Sequence, residues 1–485
     1  MIGFKSKLLS HQKEHLKFHL THPHSANWSE MGIGKTIIAL KLASILTNHG
    51  LINKILVICP LSVFHTWELE IEKHTTFTYM PLLGALFDRD RDGNRIPGEK
   101  LRRLLKEADI YLISYDSIPG RRTEEYDTYG VMVGSLLAKE FDLVIADEIS
   151  MVKGYGTLRT RAVTLLCDRT PYTLFLSGTP ISNSPSDIFN VYRALDGGKT
   201  FGKNFFATRN KFFQNVGYAF PKWELKEEMK EELKRRMYSS AVRIRKDECL
   251  DLPPKIFSPR FCYLTDEQRR YYIPIVQDLI KVLELEEGKV KIRNAMSKII
   301  KLSQITSGFL YTDDKTFFLD SNPKADLVMD VIKENPNEKI IIYCYWQEDV
   351  RILSNLLKSQ GYTVGTLYGS TPMNERGKVI DDFQTRDLQF LIANISSGGY
   401  GLTLTASSTI IYYNLSFKVV DFLQSQDRIH RHGQAKTCLY LPLMARGTID
   451  EYIYATIIRN TAIAESIIDG VELKNSIRRF LNEEI

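Results

Sequence analysis

Short apolar runs that end abruptly in polar residues recur along this chain. KILVICP from Lys54, IYLISY from Ile110, LVIADE from Leu143 and TLFLSGTP from Thr173 each read as a buried strand, and helical spacing fills the stretches between them. Strands of this kind alternating with helices predict a parallel sheet with crossover helices, whose functional residues gather at the carboxyl ends of the strands. A second series follows, with KIIIYCY from Lys339, YTVGTLY from Tyr362, FLIAN from Phe390 and TIIYYN from Thr409. The expected fold class is therefore α/β, with two lobes, each built on a parallel sheet. Between the series, residues 222–246 are highly charged with helical spacing, and DLPPK at Asp251 breaks the pattern with two prolines. The expected division is a first lobe at 1–245, a linker at 246–256 and a second lobe at 257–485. The segment from Thr265 to Leu302 also reads as helical. Such charge-rich helices are either solvated faces or protrusions that contact a partner.

Composition adds bounds rather than identity. A chain of 485 residues exceeds one hydrophobic core, so two or three domains are expected. Its 44% hydrophobic and 25% charged content is that of an ordinary globular protein, and no apolar stretch is long enough to span a bilayer. The N-terminal MIGFKSKLLS lacks the apolar core of a secretory signal, which predicts an intracellular protein without a membrane partner. Six scattered cysteines form no CxxC pair and read as reduced thiols. His11, His15 and His19 fall at helical spacing, with His22 and His24 following. Without carboxylate or Cys partners they read as a polar helix face in preference to a metal site. The net charge of +6 permits a polyanion partner without requiring one.

Three constellations carry candidate chemistry. In SEMGIGKT, residues 29–36, Gly32 and Gly34 allow a tight turn that aims backbone N–H groups, Met31 to Gly34 included, at phosphate oxygens. Lys35 neutralises phosphate charge, Thr36 offers a hydroxyl to Mg²⁺, and the apolar run from Ile37 to Leu46 predicts a helix whose positive dipole end faces the phosphates. The common pattern of such loops has Gly where this chain has Ser29. Asp147 and Glu148 close a strand, where one acid holds Mg²⁺ and the next polarises an attacking water in nucleotide hydrolases. Arg428 and Arg431, three apart on an expected helix, suit the spreading charge of a departing phosphoryl group. A phosphate cradle, an acid pair and paired arginines together point to ATP-driven work.

The order of these elements resembles the SWI/SNF ATPase family of superfamily-two helicase-like DNA translocases. SEMGIGKT, LLSHQ at Leu8, ICPLSVFHTW at Ile58, LSGTPISN at Leu176 and RIRKDECLDLPPK at Arg243 are similar to that family's first-lobe and linking motifs. YGSTPMNER at Tyr368, ANISSGGYGLTLTAS at Ala393 and DFLQSQDRIHRHGQ at Asp421 resemble the second-lobe motifs, and the segment from Gly447 resembles a closing brace helix. The resemblance implies two tandem RecA-like lobes with helical protrusions, ATP and Mg²⁺ as ligands, and duplex or forked DNA as the partner of a monomer, with any loading protein left open. It implies nucleotide contacts from Gln12, Lys35, Thr36 and Asp147 of one lobe and from Gly401, Arg428 and Arg431 of the other. It implies phosphate-backbone grips at Ser62, Ser114, Ser370 and Thr371, with Trp67 as packing. Motifs that fill the chain from end to end predict a minimal bacterial, archaeal or viral motor in replication, repair, recombination or transcription. Three positions depart from the family: Ser150 stands where it has His, Tyr400 where it often has Leu, and Asn414 where an acid is common. The first motivates a rival, an ATP-switched DNA clamp with little turnover. A strand-separating helicase is a closer rival, although no wedge hairpin is visible in the sequence, and a metabolite phosphotransferase would leave the second strand series unexplained.

Overall fold

The computed structural model describes residues 1–83, 87–89, 95–97, 99–118, 137, 140–152, 154–181, 185–216, 223–285, 288–312, 315–369, 371, 373–395 and 403–469. Ser370, Tyr400 and Gly401 lie outside them, as does the side chain of Ser62. Two compact units meet in sequence at Asp251–Leu252.

The first unit is built on a seven-stranded sheet in the order Ala241–Val242, His24–Asn27, Tyr172–Leu176, Leu143–Asp147, Ile55–Cys59, Ile110–Ser114, Tyr79–Pro81. Every pairing in it is parallel. The strand Ile55–Cys59 is buried along its whole length, as a sheet covered on both faces requires. The strand His24–Asn27 was not anticipated: HSAN carries too little apolar content to signal a strand, yet Ser25, Ala26 and Asn27 are all buried. It stands two strands away from Leu143–Asp147, so the loop it launches and the acid pair share one edge of the sheet.

The second unit repeats the plan. Its sheet runs Lys255–Phe257, Cys438–Ala445, Thr409–Tyr412, Ile340–Cys344, Phe390–Asn394, Val364–Leu367, with Arg260–Cys262 also on the Cys438–Ala445 strand. All of these pairings are parallel. The apolar clusters on its two sides, around Tyr412 and Phe422 on one and Val328 and Leu353 on the other, make it a layered α/β unit. The helices Asp266–Leu285 and Gly288–Thr306 precede the central strands as an antiparallel pair, braced by Lys298 Nζ to Asp278 at 3.3 Å. The fold class is α/β with two RecA-like parallel-sheet units.

Several local expectations change. Residues 222–246 are only partly helical: the helix is Lys230–Met237, flanked by the strands Trp223–Leu225 and Ala241–Val242. Trp223–Leu225 pairs antiparallel with Phe213–Asn215, a hairpin absent from the sequence-based picture. The expected linker is itself structured, with a helical turn at Lys246–Cys249 and a strand at Lys255–Phe257.

Candidate functional site

The chain leaves the strand His24–Asn27 and folds into a turn in which Gly32 and Gly34 take φ values of 82° and 91°. L side chains rarely adopt this region. A Cβ on Gly34 would also lie 2.5 Å from Gln12 Nε2, so space and backbone both demand glycine there. Gln12 fastens the turn from behind: Nε2 donates to Ile33 O at 3.0 Å and Oε1 accepts from Leu9 N at 3.0 Å, while His11 Nε2 lies 3.2 Å from the same Ile33 carbonyl. The helix Lys35–Asn48 starts at once, placing Lys35 and Thr36 in its first turn. Lys35 Nζ donates to Ser29 O at 2.8 Å and Glu30 O at 3.1 Å, so the loop's own carbonyls hold the ammonium in place.

Ser29 explains its departure from the glycine of related loops. Its buried hydroxyl accepts from Ile244 N at 3.1 Å, and Glu30 accepts from Lys246 N at 3.0 Å. Trp28 N and Glu30 N donate back to Val242 O and Ile244 O. The segment after Ala241–Val242 thus zips along the loop and fixes its base. On the other side, a Cβ at Gly178 would meet Met31 Cγ at 3.2 Å and come within 3.7 Å of Lys35 Nζ, so LSGTP reaches the same loop.

Asp147 ends its strand with both carboxylate oxygens engaged. Trp67 Nε1 donates to Oδ2 at 2.9 Å and Glu148 N to Oδ1 at 3.0 Å, and Tyr115 O–H donates to the Asp147 carbonyl at 2.8 Å. Burial raises the carboxyl above its ordinary range; the Trp67 hydrogen bond, the Lys35 ammonium and the Glu148 amide oppose that rise. Glu148 is the single non-glycine residue with positive φ among the described residues, at 54°, a conformation that costs about 1–3 kcal/mol and concentrates at functional sites. Ile149 and Ser150 follow it into a buried 3₁₀ turn. Trp67, expected to be packing, is buried and is also a donor to the key carboxylate. No local signal in CPLSVFHTW marks that second role.

The oxygen donors Thr36 and Asp147 are the hard ligands that suit Mg²⁺, and the glycine turn with Lys35 suits a polyphosphate, so the residues present fit both groups. Ser114 is buried at the end of its strand, with its hydroxyl 2.8 Å from Ser117 Oγ and accepting from Ser117 N, which commits it to a local turn. The histidine face of the helix Ser10–Thr21 points inward. His11, His15 and His19 are all buried, His11 against the Ile33 carbonyl and the other two against the strand His24–Asn27, with His19 Nδ1 2.9 Å from Ser25 Oγ. Burial pushes the His19 imidazole down to about 3 and lowers His15.

In the second unit, the expected helix under Arg428 and Arg431 stops at Gln426. Arg428 O accepts from Leu404 N at 2.9 Å, Gln434 Nε2 gathers the carbonyls of Thr405, Ser407 and Ile429, and Gly433 turns at φ 97°. These contacts from a distant loop override the helical spacing. Arg428 is 5% exposed and faces Tyr343, whose phenol burial pushes up to about 12 against the guanidinium's opposing field; Arg431 is more exposed. Thr371 accepts from Tyr368 N at 3.1 Å, in a turn that Arg376 clamps through Thr371 O and Tyr368 O. Asn414 bridges Asp349 Oδ2 at 2.5 Å and Ser307 Oγ at 2.9 Å while accepting from Tyr345 N. An ionised acid there could donate to neither.

Among the described residues no helix is long and apolar enough to cross a membrane. A family profile described as SNF2-related domain matches residues 11–308, and one described as helicase conserved C-terminal domain matches 323–433. The ATP-dependent helicase fft1 of Schizosaccharomyces pombe is 25% identical over 480 residues, covering 87% of this chain and 48% of the relative. The DNA repair and recombination protein RAD54-like of Gallus gallus is 24% identical over 484 residues, covering 91% and 63%. Among solved structures, the Sulfolobus solfataricus SWI2/SNF2 ATPase core in complex with dsDNA is 22% identical, covers 99% of this chain and 98% of that one, and has a TM-score of 0.41. The chain spans about half the length of the curated relatives it matches. With the first profile covering more than half of its residues, the chain belongs to the SNF2-related family of helicase-like ATPases.

Proposed function

We propose that this protein is a DNA-stimulated ATPase that tracks along duplex or forked DNA. The observation that carries the reading is the edge of the first sheet, where a glycine turn, Lys35 and the doubly anchored Asp147 carboxylate stand together. The turn and the start of the helix Lys35–Asn48 bind and orient a nucleoside triphosphate, and Lys35 exchanges its loop carbonyls for phosphate oxygens. Thr36 and Asp147 would hold Mg²⁺, which would neutralise phosphate charge. Glu148 orients the attacking water and takes its proton. Arg428 and Arg431 stabilise charge on the leaving phosphoryl group. Relatives named as DNA repair and recombination proteins support DNA as the partner. Gripping by small polar groups, Ser62, Ser370 and Thr371 among them, makes recognition insensitive to sequence and steeply salt-dependent.

The test is steady-state ATP hydrolysis by the wild type and Lys35→Ala, alone and with saturating duplex, single-stranded or forked DNA. Strong stimulation by duplex or forks, lost in the variant, is the expected result. A second reading, the switched clamp, rests on Ser150, an uncharged buried residue in the turn after the acid pair. Measurable DNA binding without stimulation by any DNA would favour it and overturn the motor.

A further inference from the structure

Ile149 to Cys167 contains no acidic residue and three basic ones, Lys153, Arg159 and Arg161. Gly197 to Trp223 likewise contains no acid and five basic residues, Lys199, Lys203, Arg209, Lys211 and Lys222. The described residues Tyr155 of the first stretch and Phe205, Phe206, Arg209 and Trp223 of the second meet in an aromatic cluster on the first unit. Tyr155 sits between two glycines: a Cβ on Gly154 would strike Thr157 Cγ2 at 2.6 Å, and Gly156 takes φ 75°. The tight turn ends where Thr157 caps the helix Leu158–Cys167. It presents the Tyr155 ring to the start of the helix Phe205–Phe212, itself capped by Asn204.

There Tyr155 stacks on Phe205 with centroids 4.8 Å apart and planes 24° apart, and meets Phe206 edge-on at 4.9 Å. One turn along, the Arg209 guanidinium lies 3.7 Å from the ring centre of Trp223, 5.2 Å from Phe206 and 5.6 Å from Phe205. Trp223 belongs to the antiparallel hairpin with Phe213–Asn215. Despite this packing, Tyr155 is 56% and Phe206 49% exposed. Among the described residues Arg209 has no carboxylate partner, and its buried Nε makes no hydrogen bond. Arg159, by contrast, is paired with Asp116.

Large exposed rings lose free energy in water, and a cation spread over three π-faces without a counter-ion is poised for an anion. Flat aromatic faces with an arginine beside them are the chemistry that receives unpaired bases and the phosphate joining them. An apolar protein segment would use the rings but not the Arg209 cation beside them.

We propose that Tyr155, Phe205, Phe206, Arg209 and Trp223 form a second nucleic-acid site, a stacking platform for unpaired bases of single-stranded DNA. Its biological sense rests on the DNA-motor reading, as the element that distinguishes a fork or strand end from a plain duplex. The test measures binding alone, by fluorescence anisotropy of a labelled oligo(dT), a blunt duplex and a fork with unpaired arms. The proteins are the wild type, the double variant Tyr155→Ala/Phe206→Ala, and Arg209→Gln. Both truncated rings are exposed, and retained ATP affinity of each variant reports an intact unit.

The double variant is expected to bind oligo(dT) about tenfold or more weakly. Arg209→Gln should weaken oligo(dT) binding and flatten its salt dependence. Blunt-duplex affinity should stay within about twofold in both, and the wild-type preference for the fork over the blunt duplex should vanish. Unchanged oligo(dT) affinity in the double variant overturns the platform and leaves the patch to a protein partner. An equal loss on blunt duplex also overturns it, by merging the patch with the duplex-tracking surface. Absence of DNA-stimulated hydrolysis in the wild type would refute the motor while leaving the oligo(dT) comparison to decide the platform.

Discussion

Each unit places a carboxylate beside its central strands, Asp147 in the first and Asp349 in the second, and their surroundings differ in kind. Asp147 has a donor on each oxygen, with the Lys35 ammonium near enough to oppose the rise that burial imposes. Asp349, in the first turn of the helix Gln347–Ser359, receives Asn414 and the Trp346 N–H on Oδ2 alone, and its Oδ1 has no partner among the described residues. The nearest buried cation, Lys324, is spent on Asp450 at 3.0 Å. Burial, aided by Glu348 and opposed by Asn414, Lys324 and Trp346, therefore pushes the Asp349 carboxyl up to about 7. Burial raises both carboxyls; donors on both oxygens and the Lys35 ammonium oppose the rise at Asp147, whereas the donors at Asp349 meet one oxygen alone.

The largest effect should come from removing the first unit's cation. Lys35→Ala takes away the group that meets phosphate, and turnover should fall by roughly a hundredfold or more with little change in stability. Comparison of kcat with the thermal midpoint checks this; retained hydrolysis would remove Lys35 from the site.

Asp349→Asn tests the other half. A carboxyl whose folded pKa of about 7 exceeds its ordinary 3.8 gives stability that is full below 3.8 and is lost as pH rises through 7. The steepest loss is about 1.4 kcal/mol per pH unit. The amide variant, nearly isosteric and uncharged, should flatten that slope. Hydrogen-exchange protection of Ile340–Cys344, corrected for intrinsic rates, reads it without assuming that the two units unfold together. A wild-type protection that does not decline between pH 4 and 7 would show Asp349 to be ionised at little cost.

How much of this was legible in the sequence follows from the physics of each signal. Ile55–Cys59 and Leu143–Asp147 were readable because strands covered on both faces must be apolar throughout. Gly32 and Gly34 were readable because only glycine suits their turn. Arg428 and Arg431 were misplaced on a helix because three-residue spacing fits helix and turn alike, and the decision came from Leu404 and Gln434 through tertiary hydrogen bonds. Periodicity put the histidines on one helix face without saying which way that face points; the structure turns it inward. The hairpin Phe213–Asn215 with Trp223–Leu225 escaped because three-residue strands are too short to show alternation.

Trp67→Phe sharpens the contrast within the first unit. The ring stays but the N–H to Asp147 Oδ2 is lost. Groups that orient a metal-binding carboxylate typically matter about 10–100-fold in metal affinity. The Mg²⁺ concentration needed to support nucleotide binding should rise by about tenfold, while Mg²⁺-free nucleotide affinity stays within about twofold. An unaltered Mg²⁺ requirement would return Trp67 to the role of core packing.

The smallest effect separates the units by the sign of their pH response. His19 is buried against Ser25 and Asn27, and burial, with help from His15 and His22, holds it near 3 against an ordinary 6.5. The folded state therefore refuses a proton that the unfolded chain accepts. Its stabilising contribution is intact above 6.5 and is lost as pH falls toward 3, opposite in direction to Asp349. At pH 6 the penalty is about 1 kcal/mol, growing with further acidification. His19→Gln keeps a polar group beside Ser25 and removes the titration, so hydrogen-exchange protection of Ser10–Thr21 should decline less steeply on acidification than in the wild type. The lowered His15 keeps part of the slope, so the decline is reduced, not abolished. If both proteins lose protection in the first unit equally between pH 6.5 and 5, His19 is not the acid-sensitive element, and the opposition between the units reduces to Asp349 alone.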